Sequence, residues 1–299
     1  MSQLSQHVIG PREGSPHTHT VILLHGRDSS ADEFAMEFFE SEASGLEQDR
    51  TLTALFPTIK WVFPQAKPLR SKRFGTDDML QWFDIWSLDD LQEQSEMQVP
   101  GLRSSVDLII KTIKDEELLV PRDKIYLGGI SQGFAVYVCP LLRCTKICSS
   151  LLILDYIGAR LLATFLAEGK GGFAGLIGFC SWMPLEREAT CVISTSSDPG
   201  ELLRSIQRLY LGDDEDATDN AQQLPLAVPH LLSTPILLQH NRDDGVIAFE
   251  NGARLRDLLG KLGFQTVEWH AYDHGGHWVN EPQGVDDFVS FLRSTSIGE

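Results

Sequence analysis

The sequence predicts an α/β fold: a mainly parallel sheet with helices on both faces. Three observations predict it. Short continuous apolar runs, suited to buried parallel strands, alternate with segments of helical periodicity. One run, Lys124-Ile125-Tyr126-Leu127-Gly128, leads directly into the turn Gly129-Ile130-Ser131-Gln132-Gly133, and a run of helix formers follows. A serine between two glycines at a strand-to-helix junction is the nucleophile-elbow pattern. Third, acidic and histidine partners for that serine lie after later strands, in the order Ser, Asp, His that this architecture uses.

The elements follow in order. Residues 1–19 are polar and turn-rich and read as a loose lead-in. Thr20-Val21-Ile22-Leu23-Leu24 reads as a buried strand, ending in the small-residue loop His25-Gly26-Arg27-Asp28-Ser29-Ser30. A helix is expected from Ala31, and Trp61-Val62-Phe63-Pro64 reads as the next strand, ended by Pro64. Trp82-Phe83-Asp84 lies in an aromatic stretch that runs to Trp86. Leu102, Val106, Ile109, Ile110 and Ile113 recur at helical spacing before the elbow strand. Beyond the elbow, strands are expected over Ala174–Trp182, Pro235–His240 and Thr266–Tyr272. Phe249–Leu262 reads as a helix stopped by Gly263, and Gly284–Ser294 as a closing amphipathic helix. With no internal repeat, one domain over residues 20–299 is the expectation. Residues 186–233 break the alternation and read as an excursion over the C-terminal edge of the sheet, where loops shape substrate access.

Composition narrows the function classes. A chain of 299 residues, 42% hydrophobic, can bury a sizeable core. Its net charge of −17 argues against nucleic acid or an anionic membrane surface as partner, since both attract basic patches. The run Asp213-Asp214-Glu215-Asp216 reads as a solvated loop. No basic segment followed by an apolar stretch opens the chain, and no apolar run reaches the roughly 18 residues of a membrane span. Five cysteines without metal-ligand spacing are expected to be reduced thiols, and the expected location is cytoplasmic.

A serine hydroxyl needs an adjacent base, usually a histidine oriented by a carboxylate. Asp243-Asp244 follows one predicted strand, and His274 and His277 follow the last. Both places lie at C-terminal strand ends, on the same sheet edge as Ser131. Oxyanion donors are expected at the backbone N–H of Gln132 and in the loop where His25-Gly26 leads into Arg27. His25 is expected to support that loop, and His230, His240 and His270 to be structural or surface residues. Phe83, Trp86, Trp182 and Leu185 are candidates for a hydrophobic acyl pocket.

Leu24-His25-Gly26, Trp82-Phe83-Asp84, Gly129-Ile130-Ser131-Gln132-Gly133, Ser181-Trp182-Met183-Pro184-Leu185, Asp243-Asp244 and Gly275-Gly276-His277-Trp278 together form an ordered set. It resembles the acyl-protein thioesterase and carboxylesterase family of α/β-hydrolases, in a fungal-looking form, over roughly residues 20–185 and 233–293. The resemblance implies Ser131 as nucleophile, Asp244 as acid and His277 as base, with Arg27 and Gln132 as oxyanion donors. It implies hydrolysis of S-palmitoylated proteins, lysophospholipids or small carboxylic esters without any cofactor or metal.

The chain also departs from the family pattern. Asp28 stands where such loops commonly carry glycine, and Phe134 follows Gly133 where a small residue is usual. Bulk at Phe134 is expected to crowd the helix under Ser131. The segment near 136–159 reads as an insertion, either a translated intron or a lineage-specific elaboration, with Arg160–Gly169 resembling the helix that the family places directly after the elbow. Pro140 within the segment would kink or end a helix. The leading expectation is a serine hydrolase of acyl thioesters or carboxylic esters. Alternatives are a carboxylesterase for soluble esters only, and a hydrolase-like binding protein impaired by the insertion.

Overall fold

The computed structural model describes residues 5–45, 50–73, 75, 78–138, 172–187, 190, 230 and 232–296. Of the expectations above, most of the 136–159 segment, the helix at 160–169, most of the 186–233 excursion, the acidic run and the cysteines other than Cys180 lie outside those residues.

Each apolar run becomes a strand. They are β2 (His19–Leu24), β3 (Ile59–Pro64), β6 (Ile125–Ile130), β7 (Gly175–Phe179), β8 (Ile236–Asn241) and β9 (Val267–Tyr272). With β1 (Gln6–Ile9) they build a seven-stranded sheet in the order β1-β3-β2-β6-β7-β8-β9, parallel except for the antiparallel β1–β3 pair. Successive side chains of a strand face opposite sides. Thus Ile22 and Leu24 of β2 join one core layer, while Val21 and Leu23 join the other. Helices α3 (Gln98–Glu117), α4 (Gln132–Val138) and α5 (Phe249–Lys261) bury Ile109, Ile113, Phe134, Leu255 and Leu259 in the first layer. In the second, α1 (Ala31–Glu40) contributes Phe34 and Phe38, and α6 (Gln283–Ser296) contributes Phe288 and Phe291. A sheet covered on both faces needs apolar residues at every strand position, and β2, β6, β7 and β8 are buried throughout.

Local signals explain the boundaries. Ser30 and Glu33 form a reciprocal capping box that starts α1. Gly263, at φ +98°, lies just past the end of α5. The strand expected over Ala174–Trp182 is shorter than the sequence suggests. It ends at Phe179 because Cys180 turns at φ +48° and carries Ser181 beneath the elbow.

Two features correct the sequence reading. The lead-in is not loose throughout, since Gln6–Ile9 pairs with β3 as an edge strand, His7 opposite Phe63. Four residues alternating between exposed and half-buried carry too weak a period to stand out. A hairpin of β4 (Pro68–Arg70) and β5 (Asp78–Leu80) lies beside the loop after β2, whose Asp28 N–H donates to the Leu80 carbonyl at 2.8 Å. The short helix α2 (Leu52–Leu55) precedes β3. The expected start of the insertion falls inside α4, which continues through Val136, Tyr137 and Val138, all packed in the core. None of the helices among the described residues is long and apolar enough to cross a membrane.

Candidate active site

The elbow is built as a strained turn. Ser131 sits at φ +56°, and its N–H donates to the Phe179 carbonyl at 2.8 Å. A non-glycine residue with positive φ costs energy and persists only where its surroundings hold it. The Ser181 hydroxyl supplies one such hold, donating to the Ser131 carbonyl at 2.8 Å. Gly133 supplies another, since a Cβ there would lie 2.3 Å from the Leu24 carbonyl oxygen. Only glycine lets α4 start so close to β2.

Gln132 has two functions separated by its own backbone. Its side chain is fully buried, accepting from the Trp82 N–H at 2.8 Å and donating to the Phe83 carbonyl at 2.7 Å. The indole N–H of Trp82 donates to the His25 carbonyl at 2.8 Å, and Ser105 Oγ donates to the Trp82 carbonyl at 2.6 Å. The Trp82-Phe83-Asp84 segment thus straps the elbow to the loop after β2. The backbone N–H groups of Gln132 and Arg27 donate to no acceptor among the described residues. The first is a helix N-terminal amide, which has no intrahelical partner.

His25 does support its loop. Its Nε2 accepts from the Ala66 N–H at 3.1 Å, so the proton resides on Nδ1, which donates to the Gly26 carbonyl at 2.7 Å. Burial pushes its pKa down to about 4, so the ring is neutral at neutral pH. The Arg27 side chain lies along the same loop, its Nε donating to Gln81 Oε1 at 3.0 Å. Asp28, in the glycine-like position, adopts φ +62°, a conformation aspartate tolerates better than most residues.

On the same C-terminal edge of the sheet, Asp244 follows β8 and His277 follows β9. His277 Nδ1 is 2.7 Å from Asp244 Oδ2. An ionised carboxylate only accepts, so Nδ1 carries the proton and Nε2 keeps its lone pair. Asp244 Oδ1 accepts from the amides of Val246 and Ile247 at 2.8 and 2.9 Å. Burial opposes its charge, but hydrogen bonds from His240, His277 and the Ile247 amide outweigh that and hold the pKa well below the usual carboxylate range. Asp243 does something different: its carboxylate accepts from the amides of Gly276 at 2.8 Å and Gly275 at 3.3 Å. Asn241 Nδ2 donates to the carbonyls of Gly276 and Trp278 at 2.9 and 2.7 Å, so the loop bearing His277 is clamped on both sides. Neither role is legible in the sequence, because each depends on which loop lies across from β8.

Ser131, Arg27 and His277 line one cleft of about 380 Å³, together with Trp182, Ile85, Leu88, Met79, Val246, Phe34 and Trp278. Of the four acyl-pocket candidates, Trp182 alone is on its wall. Phe83 is a fully buried core residue edge-on to Trp182, Leu185 packs against the core, and Trp86 lies off the cleft. Apolar character marked these residues, but the side of the 82–86 segment that faces the cleft is set by the strap to Gln132. Exposed His274 lies 3.6 Å from Asp243, apart from the His277–Asp244 pair. Cys180 is a buried thiol whose pKa is pushed up by burial and by Asp244 nearby. With Asp244 and His277 it offers three candidate metal-ligand atoms within 4.8 Å of one another, with two of them already hydrogen-bonded together.

The family model for phospholipase/carboxylesterase matches residues 6–156. Among curated relatives, acyl-protein thioesterase 1 of Yarrowia lipolytica is 26% identical over 93% of this chain and 92% of its own length. Acyl-protein thioesterase 1 of Debaryomyces hansenii is 23% identical over 98% of this chain and 97% of its own. Among solved structures, acyl-protein thioesterase 2 of Zea mays superposes with a TM-score of 0.61 at 21% identity, over 99% of this chain and 100% of that one, a likeness of fold. By these matches and by its sheet, the chain belongs to the phospholipase/carboxylesterase family of α/β-hydrolases.

Proposed function

We propose that this protein hydrolyses acyl thioesters or carboxylic esters through Ser131, His277 and Asp244. The observation that carries the reading is the 2.7 Å contact between His277 Nδ1 and Asp244, in a cleft that His277 shares with a strained serine. With Nδ1–H given to Asp244, Nε2 is the free base. It takes the Ser131 proton as Oγ attacks the acyl carbon, and the C–O bond forms as the carbonyl becomes an oxyanion. The N–H groups of Arg27 and Gln132 receive that oxyanion. Collapse breaks the bond to the thiol or alcohol, which leaves with the proton from His277. Water, deprotonated by His277, then releases the acid and restores Ser131.

The apolar cleft walls of Trp182, Ile85, Leu88 and Met79 suit an acyl chain, and the fungal relatives are named acyl-protein thioesterases. S-acylated protein is therefore the favoured substrate, with a single hydrolase domain over residues 20–299 working in the cytoplasm. The test is labelling by a fluorophosphonate probe, followed by turnover of a long-chain acyl thioester against a short acetyl ester. Labelling lost in Ser131→Ala and a preference for the thioester support the reading. A preference for the acetyl ester points to a soluble-ester carboxylesterase. A folded chain that takes no label overturns the mechanism.

A further inference from the structure

His240 lies four residues before Asp244, at the end of β8, and no step described so far uses it. It is 1% exposed. Its ring stands edge-on to Phe249, centroids 5.8 Å apart, and tilted against Trp269 at 6.4 Å. Gly252 of α5 leaves the space behind it, since a Cβ there would lie 2.3 Å from His240 Nδ1. Nε2 faces two oxygens, the Ile247 carbonyl at 2.9 Å and Asp244 Oδ2 at 3.3 Å. Both are acceptors, so Nε2 carries the proton. Nδ1 has no hydrogen-bond partner among the described residues, which makes the ring the neutral Nε2–H tautomer.

The count of donors around Asp244 then closes. Its Oδ1 takes the amides of Val246 and Ile247, its Oδ2 takes His277, and the His240 N–H, shared with the Ile247 carbonyl at 2.9 Å, faces Oδ2 at 3.3 Å. An ionised carboxylate has about four lone-pair sites; three take short hydrogen bonds, and the shared His240 N–H faces the fourth. We propose that His240 is a positioning residue for Asp244, a neutral second imidazole whose N–H fixes the carboxylate oxygen that orients His277. The inference rests on the reading of Ser131, His277 and Asp244 given above. A neutral donor suits the place. A cation there would pair with the carboxylate and weaken its pull on the imidazolium that forms at His277, whereas a group without a donor would leave Oδ2 free to rotate away.

His240→Phe keeps a ring and removes the N–H, and His240→Gln restores an N–H donor. Loss of one hydrogen bond to a charged group is expected to lower kcat about ten- to a hundredfold with KM unchanged in His240→Phe. The acid limb of kcat/KM moves to higher pH, because an Asp244 carboxylate relieved of that N–H dipole attracts positive charge beside it more strongly. The other ionisable groups near the pair, Asp243 and Cys180, are untouched by the substitution. His240→Gln recovers most of both effects.

A folded His240→Phe chain with the parent kcat and acid limb overturns the proposal. So does a loss that Gln leaves unrepaired with the limb unmoved, which would mark packing alone. Nitrogen-detected NMR of the unsubstituted chain covers the case of a variant that does not fold: a His240 protonated on Nδ1 overturns the proposal, and the Nε2–H tautomer supports it. Turnover that survives Ser131→Ala overturns the serine mechanism and this inference with it. Turnover lost in Ser131→Ala but untouched in His240→Phe overturns this inference alone.

Discussion

Phe134 lies against the bare backbone of Gly178, so closely that a Cβ on Gly178 would be 2.5 Å from Phe134 Cδ1. Bulk directly after the elbow therefore does not crowd it. The ring is fully buried over the strand next to the elbow strand, where Gly178 pairs with Gly129. Gly178→Ala is expected to destabilise the fold by about 1–3 kcal/mol through overpacking. Phe134→Ala opens a cavity and costs about 3–5 kcal/mol. The double variant should lose less than the two together, because the methyl group enters space the ring has left. Urea unfolding of the four chains measures the coupling.

Gln132→Leu leaves the Trp82 N–H and the Phe83 carbonyl buried without partners. Each unsatisfied group costs about 1–3 kcal/mol, so thermal unfolding should fall sharply. The backbone amide of residue 132 is unchanged. A slower fluorophosphonate reaction in the folded variant would therefore report the loosened strap and not a missing amide.

The adjacent aspartates are expected to separate cleanly. Asp244→Asn removes the acceptor that holds the His277 tautomer, and a fall in kcat of about 10⁴-fold is expected by analogy with other serine hydrolases. Asp243→Asn loses one of two bonds to the Gly275-Gly276 turn, and a loss of about tenfold or less is expected. Steady-state turnover of one ester by both variants decides it; equal losses would contradict the assignment.

His25 sets an acid-side limit on stability. Its folded pKa, about 4, lies below the unfolded value near 6.5. Between those values the unfolded chain binds the extra proton, so stability is complete above about pH 6.5 and falls as pH drops toward 4. The slope from this group reaches at most about 1.4 kcal/mol per pH unit. Urea midpoints from about pH 7 to about pH 4.5 measure it, and a flat profile would contradict the assigned burial.

The sequence alone determined six of the seven strands of the sheet and the places where chemistry could sit. Buried parallel strands must be apolar on both faces, so Thr20–Leu24 and Pro235–His240 announced themselves as runs. A strained serine turn needs glycine around it, so Gly129–Gly133 was legible too. Those are local requirements, written in consecutive residues.

Tertiary structure decided the rest, because it concerned contacts between residues far apart in the chain. Only the fold puts His277 on Asp244 and leaves Asp243 to cap the Gly275-Gly276 turn, since neighbouring carboxylates are chemically alike in one dimension. The four residues of β1 are visible as a strand only beside β3. Phe83 turned into core while Met79 and Ile85 took the cleft wall, because a side chain's facing depends on the strap that Gln132 makes across 49 residues. Periodicity and motif record what one segment needs of itself; packing records what distant segments need of each other.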